Sequence, residues 1–140
     1  MSRKIKYVGF LLAASLQAHG LPSNAREANS PHVNYMLHCQ GCHLPGGIGH
    51  PGIVPNLQDH IGLFLRNAQG RAYLVQVPGA AQSALNNSEL ADVLNWMLEE
   101  FDQRHVDRNF RRFTAAEVER YRAVKLTGLS ALRSKILTQP

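Results

Sequence analysis

Cys39-Gln40-Gly41-Cys42-His43 is the stretch on which the fold and the chemistry of this 140-residue chain turn. Its cysteines are the only 2 in the sequence. Spaced three apart on one helical turn, they present both sulfurs to the same side, with His43 next to them. Upstream, Ser30-Pro31 pairs an N-cap residue with proline at the first helical position. This predicts a short helix from His32 to Cys39 with Val33, Met36 and Leu37 on one side. Downstream, residues 44–56 hold four glycines and three prolines, which predicts a loop laid against something rigid.

Four chemistries use paired cysteines at this spacing. A structural zinc site needs about four ligands, and with two cysteines the others would have to be histidines. A thioredoxin-like redox pair places its first cysteine at a helix N-terminus after a strand, where the dipole lowers the thiol pKa. Here the cysteines follow a helix. A plain disulfide is the third alternative in the same inventory of cysteine motifs. The pattern C-x-x-C-H fits c-type haem: each sulfur adds to one vinyl group of the same porphyrin and His43 reaches the iron.

Working outward, Gln58 to Arg66 and Arg71 to Val77 read as short helices, the second stopped by Pro78-Gly79. Ser88 to Phe101 carries the strongest helical pattern, with Ser88 as cap and Leu90, Val93, Leu94, Met97 and Phe101 along one face. Thr114 with Glu117 forms a capping box opening Ala115 to Lys125, and Leu129 to Leu137 follows as a second amphipathic stretch. With no strand pattern, the chain is expected to be all-α. Residues 33–102 are a length at which a protein core alone rarely suffices, so a covalently held macrocycle would serve as staple and core.

Hydrophobic residues make up 44% and charged residues 18%, the balance of a chain that folds. The formal charge of +5 is partly carried by Arg3, Lys4 and Lys6, which precede the apolar run Val8 to Leu16 and the small-residue site Ser23-Asn24-Ala25. These are the parts of an export signal, residues 1–25, and they place the mature chain in the periplasm or otherwise outside the cytoplasm. No transmembrane span is expected in the mature chain. Residues 33–102 are net acidic and 103–140 net basic. Arg104, Arg108, Arg111 and Arg112 are placed to meet Glu99, Glu100 and Asp102, or an acidic partner. The small net charge of the mature chain argues against a nucleic-acid partner.

From Val33 to Asp102 the chain resembles a small bacterial monohaem cytochrome c, class I-like. Cys39, Cys42 and His43 match the family's motif, Pro55-Asn56-Leu57 resembles its Pro-x-Leu element, and Trp96 resembles the aromatic residue of its last helix. The resemblance implies a helical fold around one haem c per chain, with His43 as proximal iron ligand, in residues 26–102. A basic helical extension, 103–140, has no counterpart in the minimal fold. It implies a periplasmic carrier of single electrons, not an enzyme, whose partner is a redox protein such as a periplasmic dehydrogenase or terminal oxidase.

One departure matters. Where the family has a loop Met followed by Pro, this chain has Val77-Pro78-Gly79, and valine cannot bind iron. Met36 lies on the side expected for the proximal ligand, which leaves Met97 as the distal methionine candidate. A gap-filling core methionine beside Leu94 and Phe101 is the alternative. His50, His60, water or an open position complete the options, and an open iron would suit a haem enzyme or a sensor of NO, CO or peroxide.

Overall fold

Seven α-helices and one 3-10 turn make up the computed structural model, which describes residues 29–138. The expected export signal, residues 1–25, lies outside them. The order is α1 (Pro31–His38), α2 (Gln40–His43), the 3-10 turn (Ile61–Arg66), α3 (Ala68–Gln76), α4 (Pro78–Ala81), α5 (Asn87–Phe101), α6 (Ala115–Arg122) and α7 (Leu129–Thr138). Among the described residues there is no strand, only one isolated antiparallel bridge between His50 and Val54, so the all-α expectation holds.

Helix starts follow the capping chemistry. Ser30 caps α1 by accepting from the Val33 N–H at 3.3 Å, with Pro31 at the first position as expected. α5 begins earlier than a Ser88 cap would give. Asn86 Oδ1 accepts from the Glu89 N–H at 2.9 Å, and Glu89 Oε2 accepts from the Asn86 N–H at 2.9 Å. Asn86 caps as strongly as serine and alone has a glutamate three residues on. α3 starts at Ala68 rather than Arg71 because Asn67 accepts from the Gly70 N–H at 2.8 Å. Proline at the first position lets Pro78 open α4 where it was read only as a stop.

α1 crosses α5, α6 lies on α5 and α3, and α7 lies on α3 and the 3-10 turn. Leu90, Val93, Leu94 and Leu98 of α5 form the centre of the core, with Phe64 stacked on Tyr73 at 5.1 Å on one side. Each such fully buried side chain contributes about 1.5–3 kcal/mol. Val118 of α6 and Ile136 of α7 belong to the same core, so the segment after Asp102 packs onto the helices before it.

Polar contacts fix that packing. Asn95 clasps the Phe113 backbone, donating to its carbonyl at 3.0 Å and accepting from its N–H at 2.7 Å. Asp102 is 0% exposed and accepts from the Gly62 N–H at 2.7 Å, the His105 N–H at 3.1 Å and His105 Nδ1 at 2.8 Å. Of the pairs expected between these arginines and Glu99, Glu100 and Asp102, Arg112–Glu99 forms, while Arg104 approaches Asp59 at 3.7 Å and Arg111 pairs with Glu117 at 3.0 Å. Only half of the expected Thr114 capping box forms. Thr114 accepts from the Glu117 N–H at 3.2 Å, but the Glu117 carboxylate turns to Arg71 and Arg111, since a charge-assisted fork outweighs one backbone N–H.

Candidate functional site

The cysteine turn is two short helices, not one continuous turn. Cys39 closes α1, leaving helical geometry at φ −125° and ψ −38°, and starts α2. The winding still holds: Cys42 N–H and His43 N–H both donate to the Cys39 carbonyl, at 3.1 and 3.0 Å. Cys39 and Cys42 are both free thiols, Cys39 half-buried and Cys42 exposed. Burial, with a smaller effect from Cys42, pushes the Cys39 thiol up to about 11. That is the opposite of the lowered pKa a redox dithiol requires.

His43 is half-buried and its Nδ1 is fully enclosed with no hydrogen-bond partner. Burial lowers the ring's pKa and the Pro55 backbone opposes this, so Pro55 is near enough to act on the ring although the pair falls short of hydrogen-bond geometry. The imidazole is therefore neutral, the form that binds a metal. Among the described residues no three His, Cys, Asp or Glu side chains gather as a metal site of their own. Two free thiols and a neutral imidazole on one turn, with an enclosed nitrogen lacking a partner, fit a covalently held porphyrin better than a four-ligand zinc site.

The loop after the turn folds back on it. Gly49 N–H donates to the His43 carbonyl at 3.1 Å, Gly47 N–H to the Leu44 carbonyl at 3.1 Å, and Leu57 N–H to the Gly47 carbonyl at 2.7 Å. Leu44 sits at φ 59° and ψ 167°, a region normally left to glycine. Its carbonyl is pinned by the hydroxyl of Tyr35 at 2.6 Å. Tyr35 is enclosed between α1 and α5, its ring 5.2 Å from those of both Trp96 and Phe101. Burial, then the Cys39 charge, raise its phenol to about 12 against the Gly47 backbone.

Gly49 brings Pro55 close to His43. At φ +71°, a β-carbon there would stand 2.5 Å from the Val54 carbonyl oxygen and 2.6 Å from that of Pro55. Gly52, at φ +77°, faces open space. Both alanine variants carry the left-handed penalty of about 1–2 kcal/mol. Gly49→Ala should lose more stability than Gly52→Ala in thermal denaturation, because only it also meets backbone atoms. Equal losses would mean that the Pro55 loop yields freely.

The turn holds Cys39, Cys42 and His43 together. Met97 is 7% exposed and packed in the core with Leu94 and Leu98, a position compatible with either role foreseen for it. His50 and His60 are exposed, and Met36 is also exposed. Val77 packs its side chain against the core. Tyr35, Asn95, Arg71, Glu117 and Arg122 were not singled out from sequence as functional. For Asn95 the signal was available, as a polar residue within the apolar run of α5.

No family model matches the chain. It is 31% identical over 115 residues to cytochrome c-552 of Thermus thermophilus, covering 69% of this chain and 88% of that protein. A second cytochrome c-552, from a designated strain of the same species, is also 31% identical over 115 residues, covering 69% of this chain and 78% of that protein.

Proposed function

Because the chain belongs to the small c-type cytochromes, with haem c as cofactor and electron transfer as function, we propose that Cys39 and Cys42 hold one haem per chain and that His43 is its proximal iron ligand. The observation that carries the assignment is the half-buried His43 ring, with its enclosed, unpartnered Nδ1, on the same turn as two free thiols. Haem c supplies one-electron exchange between ferric and ferrous iron. The chain's own residues do the holding. Each thiol would add its S–H across one vinyl group of the haem, with no atom lost. His43 would offer a ring nitrogen to the iron, with the Pro55 backbone beside the ring to orient it. Tyr35, through the Leu44 carbonyl, and the glycine loop, through the Gly49–His43 hydrogen bond, hold the turn in place.

Residues 1–25 direct export, 26–102 hold the haem, and 103–140 form a basic helical extension that braces it. The protein works in the periplasm, passing electrons to or from a redox partner such as a dehydrogenase or terminal oxidase. None of the described helices is long and apolar enough to cross a membrane. Met97 is the methionine available as sixth ligand. A second reading, a haem enzyme or small-ligand sensor, is favoured by one feature: from Val77 to Asn86 the chain has no side chain that binds iron strongly.

A reduced-minus-oxidised visible spectrum of the exported protein, repeated under carbon monoxide, tests these readings. A low-spin c-type spectrum unmoved by carbon monoxide supports the carrier, and its loss of low-spin character in Met97→Ala supports thioether ligation. A high-spin spectrum with rapid carbon monoxide binding supports the second reading. A protein without haem absorbance overturns both.

A further inference from the structure

Tyr35 holds both ends of the cysteine turn. Its backbone carbonyl accepts from the Cys39 N–H at 2.9 Å, where α1 gives way to α2. Its hydroxyl donates to the Leu44 carbonyl at 2.6 Å, immediately after His43. The pentapeptide from Cys39 to His43 is thus bracketed by a single residue. The Leu44 carbonyl takes a second bond from the Gly47 N–H at 3.1 Å, so the phenol fills its remaining acceptor site. The ring that carries this phenol is fixed. Tyr35 is 0% exposed and wedged against Trp96 and Phe101 of α5, 5.2 Å from each ring, and a buried tyrosine hydroxyl needs a partner.

What the hydroxyl holds is a strained residue. Leu44, at φ 59° and ψ 167°, occupies a region that belongs almost wholly to glycine, and such strain persists only where surrounding contacts over-determine it. The Leu44 side chain is not among those packed into the core, so hydrogen bonds must do the holding. Its N–H donates to the Gln40 carbonyl at 2.8 Å, and its carbonyl takes the two bonds from Tyr35 and Gly47. Released by the phenol, Leu44 gains by turning toward extended backbone, which tilts the peptide joining it to His43. The carbonyl of that peptide accepts from the Gly49 N–H at 3.1 Å, so the loop that brings Pro55 to the imidazole moves with it.

We propose that Tyr35 is a positioning residue: through Leu44, its hydroxyl fixes the direction in which His43 faces the iron, and thereby sets the balance between the ferric and ferrous states. This rests on Cys39, Cys42 and His43 being the haem turn. Groups behind a ligating histidine tune its metal by orienting the ring. A nitrogen donor held less firmly favours ferrous over the harder ferric iron, so loss of the hydroxyl raises the reduction potential.

The test uses the exported holoprotein with Tyr35→Phe, which keeps the ring in its seat and removes only the hydroxyl. The ferrous-to-ferric ratio at a fixed potential should rise by about tenfold, the low end of what such a partner is worth to a metal site, equivalent to about 59 mV for a one-electron couple. The electron paramagnetic resonance of the ferric form, which reports the orientation of an axial imidazole, should change with it. Hydrogen exchange of the Gly47 and Gly49 amides should rise while α5 stays protected. Glycine adopts the Leu44 conformation without strain, so the double variant Tyr35→Phe, Leu44→Gly should recover most of the parent potential. An unmoved potential in Tyr35→Phe, a double variant shifted as far as the single one, or lowered thermal stability as the sole effect overturns the proposal. Covalent haem beside an unmoved potential strikes this proposal alone, whereas a parent without covalent haem strikes the attachment reading as well.

Discussion

Replacing Glu117 by alanine should destabilise the protein by about 3–5 kcal/mol, the usual cost of leaving a buried charge without its partner. Arg71 and Glu117 are 7% and 4% exposed and meet as a fork, Nε to Oε1 at 2.9 Å and Nη2 to Oε2 at 2.8 Å. Arg71 also donates to the Arg111 carbonyl at 2.8 Å and lies over the Phe113 ring at 4.1 Å, so α3, α6 and the segment between α5 and α6 meet at one guanidinium. Arg71→Met should cost a similar amount. The double variant Arg71→Met, Glu117→Leu should recover most of the loss, since apolar replacement of a whole buried pair is often neutral. Additive losses in the double variant would mean that packing, not charge, carries the contact.

The same pair gives stability a pH dependence of known sign. Burial would raise the Glu117 pKa, but hydrogen bonds and charge from Arg71, with Arg111 added, outweigh it and hold the carboxyl below its ordinary range. The unfolded chain therefore binds the proton first as pH falls. The contribution is complete above about 4.3, the ordinary glutamate value, and drains away as pH drops through the lower folded value. Denaturation midpoints of parent and Glu117→Gln should thus converge on acidification. Parallel curves would contradict the assignment.

The double variant Cys39→Ala, Cys42→Ala should lose covalent haem altogether and with it much of the cooperative unfolding transition. Residues 33–102 are in the range of about 70 residues where a core needs a staple. In these variants the turn keeps His43 but has no sulfur to anchor the ring. Single variants should retain one thioether and intermediate stability. A double variant that keeps its haem through acid-acetone extraction would remove both cysteines from the attachment role.

What could be read from sequence was local. The i, i+3, i+4, i+7 pattern from Leu90 to Phe101 and the Ser30-Pro31 start were enough to place α5 and α1. The pentapeptide was legible because its chemistry lies in five consecutive residues. The cap of α5 lies two residues before Ser88 because Asn86 and Ser88 are both good caps, and only the position of Glu89 separates them. The break at Cys39 left no mark in composition. Contacts across long separations were beyond reach: Glu117 looked like the far half of a capping box, while its true partner Arg71 is 46 residues away. Arg122 looked like one more cation on a basic face, though its donors point inward to carbonyls 35 to 42 residues away.

The most direct measurement is the intact mass of the exported protein in denaturing acid, where only covalent groups survive. The attachment of haem through Cys39 and Cys42 predicts one haem above the mass of the polypeptide, and the bare polypeptide mass for Cys39→Ala, Cys42→Ala. A parent that appears at its bare polypeptide mass, with haem free in the extract or absent from it, would contradict it.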